Sequence, residues 1–131
     1  MLSYLFLGAN DVDVSAKFYE AILFPLGYER KDWSGKAIFT IPGTPDEWNG
    51  PGAVYIAKPY DGQPATAGNG TMAAFRTQTR KEVDVCFTAG LIAGGDNDGA
   101  PGIREEYSDD FYVAYLRDPA GNKVAFFCNY E

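Results

Sequence analysis

The sequence shows the same order of elements in its two halves, and this repetition constrains the fold more than any other feature. Each half begins with a short apolar strand, continues with an amphipathic helix and ends with further strands. The offset between the halves is about 68 residues. One such unit cannot bury both faces of its sheet, so two units must pack together. We therefore predict an α+β fold, in which two βαβββ modules form a curved mixed sheet around a cleft with the helices outside.

Each half contains a helix with a recognisable start. Asp11 can cap the first helix, whose apolar residues recur at helical spacing and which ends before Pro25. In the second half, Thr79 and Glu82 form a capping box that opens a helix ending at Gly94. Both helices are long enough to cover one side of a small sheet.

Short apolar or alternating runs predict the strands. They cover residues 3–8, 28–33, 36–41 and 53–58 in the first half, and 71–76, 111–116 and 124–127 in the second. The glycine-rich segment from Asp96 to Gly102 is predicted to be a loop. Residues 60–70 are polar and without periodicity, so we predict that they connect module 1, at about 1–59, to module 2, at about 71–131. At 131 residues the two modules together make a single domain.

A tight turn near the C-terminus joins two of these strands. The turn is Asp118-Pro-Ala-Gly121, and apolar runs flank it on both sides. Asp at the first position, Pro at the second and Gly at the fourth are typical of a type I turn, because Pro fixes φ where the turn needs it. The two runs are therefore predicted to form a hairpin.

Composition excludes several classes of function. Lys and Arg number 11 against 18 Asp and Glu, giving a net charge of −7, which opposes binding to nucleic acid. No apolar run reaches the ~18 residues of a membrane span, and the N-terminus lacks a signal-peptide pattern, so we expect no membrane partner and a cytoplasmic location.

The chain has no histidine, which excludes Ser-His-Asp and Cys-His sites. Cys86 and Cys128 are isolated and are expected to be buried, reduced thiols.

Three stretches together resemble one superfamily. They are residues 10–19 followed by Leu26-Gly27, residues 68–75, and the motif Arg117-Asp-Pro-Ala-Gly-Asn122. In this order they resemble the glyoxalase, bleomycin-resistance and extradiol dioxygenase superfamily, also called the vicinal oxygen chelate superfamily. The resemblance spans essentially the whole chain, and it implies the paired βαβββ fold that the repeat predicts.

The resemblance also implies where a metal would lie. Catalytic members hold a divalent metal with two histidines, a carboxylate or amide, and a glutamate. The histidine positions fall here on Tyr4 and Met72, and the glutamate position falls on Ala125. The fourth position falls on Tyr55 or Ala57. None of these side chains is a good ligand for a transition metal, so we predict neither a metal nor another cofactor.

Residues on the same strand faces as these positions would line the cleft, because side chains alternate along a strand. The predicted ligand-binding residues are Tyr4, Phe6, Tyr55, Met72, Ala74, Val113, Tyr115, Arg117, Ala125 and Phe127. This lining is mainly apolar and aromatic, which suits a small, partly aromatic or apolar molecule. The alternative is that the same side chains fill the cleft as ordinary core.

Tyr115 is the one candidate for a catalytic role. In superfamily members that modify an antibiotic, a tyrosine three residues before the Asp-Pro turn touches the substrate, and Tyr115 occupies that place. Its phenol could donate a hydrogen bond, or act as a general acid if its pKa were lowered. The alternative is a strand aromatic with a hydrogen-bonded hydroxyl.

Other polar and aromatic residues lie near the predicted cleft. Arg117 and Lys123 could pair with a ligand carboxylate, although charges at a hairpin end are usually solvated. The acidic cluster at 105–110 is expected to lie at the surface, and Trp33 and Trp48 could cap the cleft or contact a second chain.

Two functions follow from these observations. The first is a protein of the bleomycin-resistance kind that binds a small molecule without a metal and forms a homodimer. The alternative is a lactoylglutathione-lyase-type lyase or isomerase with a non-standard site. Chemistry opposes the alternative, because the chain lacks both the ligands for a Lewis acid and the glutamate that would move a proton.

Overall fold

The computed structural model describes residues 1–130 and confirms the α+β class with two βαβββ modules. The first module contains β1 (Tyr4–Gly8), α1 (Val12–Leu23), β2 (Glu29–Trp33), β3 (Lys36–Thr40) and β4 (Ala53–Ala57). The second contains β5 (Met72–Arg76), α2 (Arg80–Ile92), β6 (Asp96–Ile103), β7 (Tyr112–Arg117) and β8 (Lys123–Cys128). No helix of residues 1–130 combines the length and apolarity needed to cross a bilayer.

The two modules have the same sheet topology. The strand orders are β1-β4-β3-β2 and β5-β8-β7-β6. In each sheet the first strand of the module lies at one edge and pairs in parallel with the last, and the remaining pairs are antiparallel. This shared order confirms the repeat that the sequence predicts.

The predicted loop at 96–102 is wrong, because this segment forms β6. It pairs antiparallel with β7 from Asp96 opposite Arg117 to Ile103 opposite Tyr112. The pairing contains irregularities on either side of Gly99, as expected for a bulged strand. A Cβ on Gly99 would lie 2.7 Å from Cδ2 of Tyr115, so the glycine is needed where that ring covers the backbone.

Side chains at both helix starts act as predicted. The Asp11 carboxylate accepts a hydrogen bond from the Val14 backbone amide at 3.2 Å. The Thr79 hydroxyl accepts one from the Glu82 amide at 3.1 Å, and the Glu82 carboxylate accepts one from the Gln78 amide at 2.6 Å. These bonds satisfy backbone donors that a helix start otherwise leaves unpaired.

A single hydrophobic core joins the two modules. It combines residues of both helices with one face of each sheet, and its largest members include Phe18, Tyr19, Ile22, Phe39, Leu116 and Phe126. The helices contact each other directly, since the Cys86 thiol lies 3.4 Å from the Ile22 carbonyl oxygen. Tyr28 of the first module also packs edge-to-face on Phe75 of the second at 6.3 Å.

The predicted Asp-Pro turn fastens the second module to the first. The Gly121 amide donates to the Asp118 carbonyl at 2.8 Å, which confirms the turn. The Asp118 side chain is buried and accepts hydrogen bonds from the Tyr19 hydroxyl at 2.6 Å, the Asn122 side-chain amide at 2.8 Å, and the backbone amides of Ala120 and Asn122 at 2.8 and 2.9 Å. Burial and the nearby Asp118 carboxylate raise the pKa of Tyr19 well above its usual value, so Tyr19 remains a donor.

Candidate functional site

The predicted ligand-binding residues lie on the sheet faces that point away from the shared core. In β1, Tyr4 and Phe6 are about half exposed, whereas Leu5 and Leu7 pack against the core. In β5, Met72 and Ala74 are exposed and alternate with core residues in the same way. We call these surfaces the first face, on the sheet of β1 to β4, and the second face, on the sheet of β5 to β8.

Seven of the ten predicted residues come together on the second face. They are Met72, Ala74, Val113, Tyr115, Arg117, Ala125 and Phe127. The register places Ala74, Ala125, Tyr115 and Gly99 in one row across four strands. The neighbours of Tyr115 in this row are Ala125 and Gly99, which have little or no side chain. Ala125 is the position where the resemblance implies a glutamate.

The other three predicted residues, Tyr4, Phe6 and Tyr55, lie on the first face. Tyr55 is opposite Phe6 in the register, and its ring centroid lies 5.1 Å from that of Tyr4. The predicted lining is thus divided between two sheets of one chain.

Each face has a pocket of its own. The second-face pocket has a volume of about 550 Å³ and is lined by Met72, Tyr107, Ser108, Asp110, Phe111, Tyr115, Asn129 and Tyr130. The first-face pocket has about 260 Å³ and is lined by Trp33, Ile38, Trp48 and Tyr55. The second-face pocket is therefore the larger and the richer in polar groups, and it contains the catalytic candidate.

Sequence reasoning missed most of the second-face pocket. Tyr107 lies within the acidic cluster at 105–110, Phe111 follows it directly, and Asn129 and Tyr130 follow β8. Two aromatic residues so close together in a highly charged segment are a signal that could have been noticed, because neighbouring apolar side chains at a surface can form a binding patch. The residues after β8 offered no such signal.

A third hollow, of about 860 Å³, lies between the start of α1 and the turn of β2 and β3. Its lining is mostly charged or polar, and Arg30 pairs there with Asp32 at 2.9 Å and with nearby Glu20 at 2.6 Å. Ala57 lines this hollow, whereas Tyr55 lines the aromatic first-face pocket. The two aromatic pockets contain the predicted residues Tyr55, Met72 and Tyr115, so they are the better candidates for the predicted site.

Tyr115 is held as a neutral phenol. Burial raises its pKa, nearby Tyr107 and Glu106 raise it further, and the Arg104 guanidinium offsets part of the increase. The cationic groups of Lys123 and Arg104 lie 4.9 and 5.7 Å from its ring centroid. The pKa of Tyr115 is raised and not lowered, so its protonated phenol is suited to donating a hydrogen bond.

The cations at the hairpin end are paired within the chain. Arg117 and Lys123 both contact the Asp98 carboxylate, at 3.1 and 3.3 Å. Arg117 also donates to the Gly121 carbonyl at 3.2 Å. These ion pairs therefore connect β6 to the β7–β8 hairpin within the chain.

The positions that would hold a metal do not fit one. Tyr4 and Tyr55 lie on the first face, and Met72 and Ala125 on the second. The Tyr55 hydroxyl already donates to the Trp48 carbonyl at 2.9 Å, and burial raises the pKa of Tyr55. Phenols, a thioether and a methyl group are poor ligands for these metals. Residues 1–130 contain no group of three or more His, Cys, Asp or Glu side chains suited to a metal ion.

Both cysteines are buried, as predicted. Burial raises the pKa of Cys86 to about 12, with a smaller contribution from Glu82. A thiol of this kind is a weak nucleophile at neutral pH, so Cys86 takes no part in the site.

Paired βαβββ modules with open sheet faces define a protein of the vicinal oxygen chelate superfamily. A glyoxalase/bleomycin resistance protein from Albidiferax ferrireducens T118 is 35% identical, with 98% of each chain covered and a TM-score of 0.84. This chain therefore belongs to the glyoxalase/bleomycin resistance protein family.

More distant solved structures share the fold. A glyoxalase/bleomycin resistance protein/dioxygenase family enzyme from Burkholderia phytofirmans PsJN is 18% identical, with 98% of each chain covered and a TM-score of 0.72. A glyoxalase-related enzyme from Fulvimarina pelagi is 17% identical over 98% of this chain and 88% of its own, with a TM-score of 0.73. The chain matches no family model and no curated protein.

Proposed function

We propose that this protein binds a small, partly aromatic or apolar molecule in the second-face pocket, without a metal. The observation that carries the proposal is the pocket itself, which has about 550 Å³ and is lined by four aromatic rings and Met72. Ligand pockets usually measure about 300–1,000 Å³ and combine apolar walls with a few polar groups. Ser108, Asn129 and the Tyr115 hydroxyl would supply the polar contacts that orient a ligand.

The side chains at the expected metal-ligand positions support binding without a metal. The resemblance places Tyr4, Met72, Ala125 and either Tyr55 or Ala57 where catalytic members carry metal ligands, and none of these side chains suits a transition metal. The lyase or isomerase alternative would need another acid, and the raised pKa of Tyr115 argues against that role. We place this binding activity in the cytoplasm, where isolated cysteines remain reduced.

The first prediction concerns Tyr115. Replacing it with alanine removes a wall of the pocket, and we expect about tenfold weaker binding of any aromatic ligand that a thermal-shift screen identifies. Calorimetric titration measures the loss. Tyr60→Ala is the matched control, because Tyr60 is fully exposed in the connector, and it should leave the affinity within about twofold of wild type.

Two results would contradict the proposal. One is an affinity that Tyr115→Ala leaves unchanged. The other is a stoichiometric transition metal, found by elemental analysis of protein purified without chelators, whose removal abolishes binding.

We also propose that the protein forms a homodimer in which the first face of one copy meets the second face of the other. Tyr4, Phe6, Trp33 and Trp48 are 46–62% exposed on or beside the first face, which is a large aromatic area for a free surface. Lys31 and Lys36 lie among these rings. Lys31 is paired with Glu47 of its own chain at 2.7 Å, so the proposed contact rests on aromatic area more than on charge.

The second prediction tests this dimer. Light scattering should give twice the chain mass of 14.3 kDa for the wild type, and Phe6→Glu should give the monomer because it places a charge in the apolar contact. Val85→Glu is the control, since Val85 is 43% exposed on α2, away from both faces. A wild-type mass equal to one chain would refute the dimer.

A further inference from the structure

We infer that the molecule bound in the second-face pocket carries a positive charge. The inference rests on the proposed function and adds the chemical class of the ligand. Four of the eight residues that line the pocket are aromatic, one is Asp110, and none is Lys or Arg. Aromatic walls with a carboxylate and no basic group favour an organic cation over a neutral or anionic molecule.

Two rings of the pocket pack against each other and have nearly perpendicular planes. Tyr107 packs edge-to-face on Phe111, with ring centroids 5.9 Å apart and planes at 80°. Both residues line the pocket. An ammonium group placed against the open face of either ring gains cation–π attraction.

The protein's own cations already use rings on this face in the same way. Lys123 and Arg104 lie over Tyr115, and Arg76 lies over Phe127 at 4.9 Å. These contacts occupy Tyr115, so a ligand cation would use Tyr107, Phe111 and Tyr130, with the Tyr115 hydroxyl at one side. Lys123 also contacts the Asp98 carboxylate at 3.3 Å, and Asp98 is shared with Arg117, so part of the Lys123 charge is offset.

The charge around the pocket has the sign that this ligand requires. The 104–110 loop contains one cation, Arg104, and four carboxylates, Glu105, Glu106, Asp109 and Asp110. The whole chain has a net charge of −7. A ligand carboxylate in the pocket would meet Asp110 without a basic partner in the lining, which costs free energy.

The test compares three phenols of similar size that differ in charge. They are (4-hydroxyphenyl)trimethylammonium, its neutral isostere 4-tert-butylphenol, and 4-hydroxybenzoate. Calorimetric or NMR titration of the full chain should show the ammonium compound binding about tenfold more tightly than either of the others. Equal binding of the isostere, or tighter binding of the benzoate, would overturn the inference while leaving the proposed function intact.

Two variants locate the cation. Asp110→Asn and Tyr107→Leu should each weaken the ammonium compound about fivefold more than they weaken 4-tert-butylphenol. Asp109→Asn is the matched control, because Asp109 neighbours Asp110 in the loop but does not line the pocket. If Asp109→Asn weakens the cation as much as Asp110→Asn does, the effect is general to the surface and the site is refuted. Failure of all three phenols to bind overturns both the inference and the proposed function.

Discussion

Replacement of Asp118 by alanine is expected to lower the free energy of unfolding by about 4 kcal/mol, the largest effect of any single change considered. The side chain is only 3% exposed and accepts four hydrogen bonds, two of them from the side chains of Tyr19 and Asn122. Its removal leaves buried donors in both modules without an acceptor, and each such donor costs about 1–3 kcal/mol. Denaturant unfolding followed by circular dichroism measures the change.

A second aspartate provides the control for this prediction. Asp98 also contacts two partners, Arg117 and Lys123, but at the solvent-exposed end of the hairpin. Exposed ion pairs contribute little to stability, so Asp98→Ala should leave the unfolding midpoint close to that of the wild type. If the two alanine variants were equally stable, the Asp118 turn would not hold the modules together as the hydrogen bonds indicate.

Gly90→Leu is expected to destabilise the fold by about 3 kcal/mol through overpacking between the two helices. A Cβ on Gly90 would lie 2.4 Å from Leu116, 3.0 Å from Ile22 and 3.2 Å from Phe18, so no space exists for a larger side chain. Glycine inside a helix is itself unfavourable by about 0.5–1 kcal/mol. Its presence in α2 is therefore explained by the close approach of α1 and β7.

Thermal unfolding measures the effect of Gly90→Leu, with a fall in Tm of about 10 °C. Thr88→Leu is the control, because Thr88 lies in the same helix with its side chain exposed, and it should leave Tm within about 2 °C of wild type. A Gly90→Leu variant as stable as wild type would mean that the helices can separate at little cost.

Much of the fold could be predicted because its signals are local. The caps at Asp11 and Thr79 and the turn at Asp118 each depend on residues a few positions apart, and the structure confirms all three. The strand β6 was missed for a physical reason. Its glycines weaken a strand signal, and they are present because Tyr115 covers the backbone at Gly99, a contact between separate strands.

The candidate site was predicted in part. Alternation along β5, β7 and β8 correctly groups seven residues on one sheet face, because side-chain direction follows from strand periodicity. Of these seven residues, Met72 and Tyr115 line the second-face pocket, and Tyr107, Phe111 and Tyr130 reach it from segments outside the strands. Periodicity gives no direction for side chains there, so sequence reasoning could not place them.

The sequence by itself determined the helix starts, the Asp-Pro turn and the order of the elements other than β6, and it indicated the family, since these depend on residue identity and local spacing. Only the tertiary structure decided how the two modules pack. It placed both helices and one face of each sheet in a common core, which leaves the predicted site residues on two separate faces. It also buried Asp118 against Tyr19, a contact between residues 99 positions apart. Such contacts depend on long-range packing, and no local pattern in the chain encodes them.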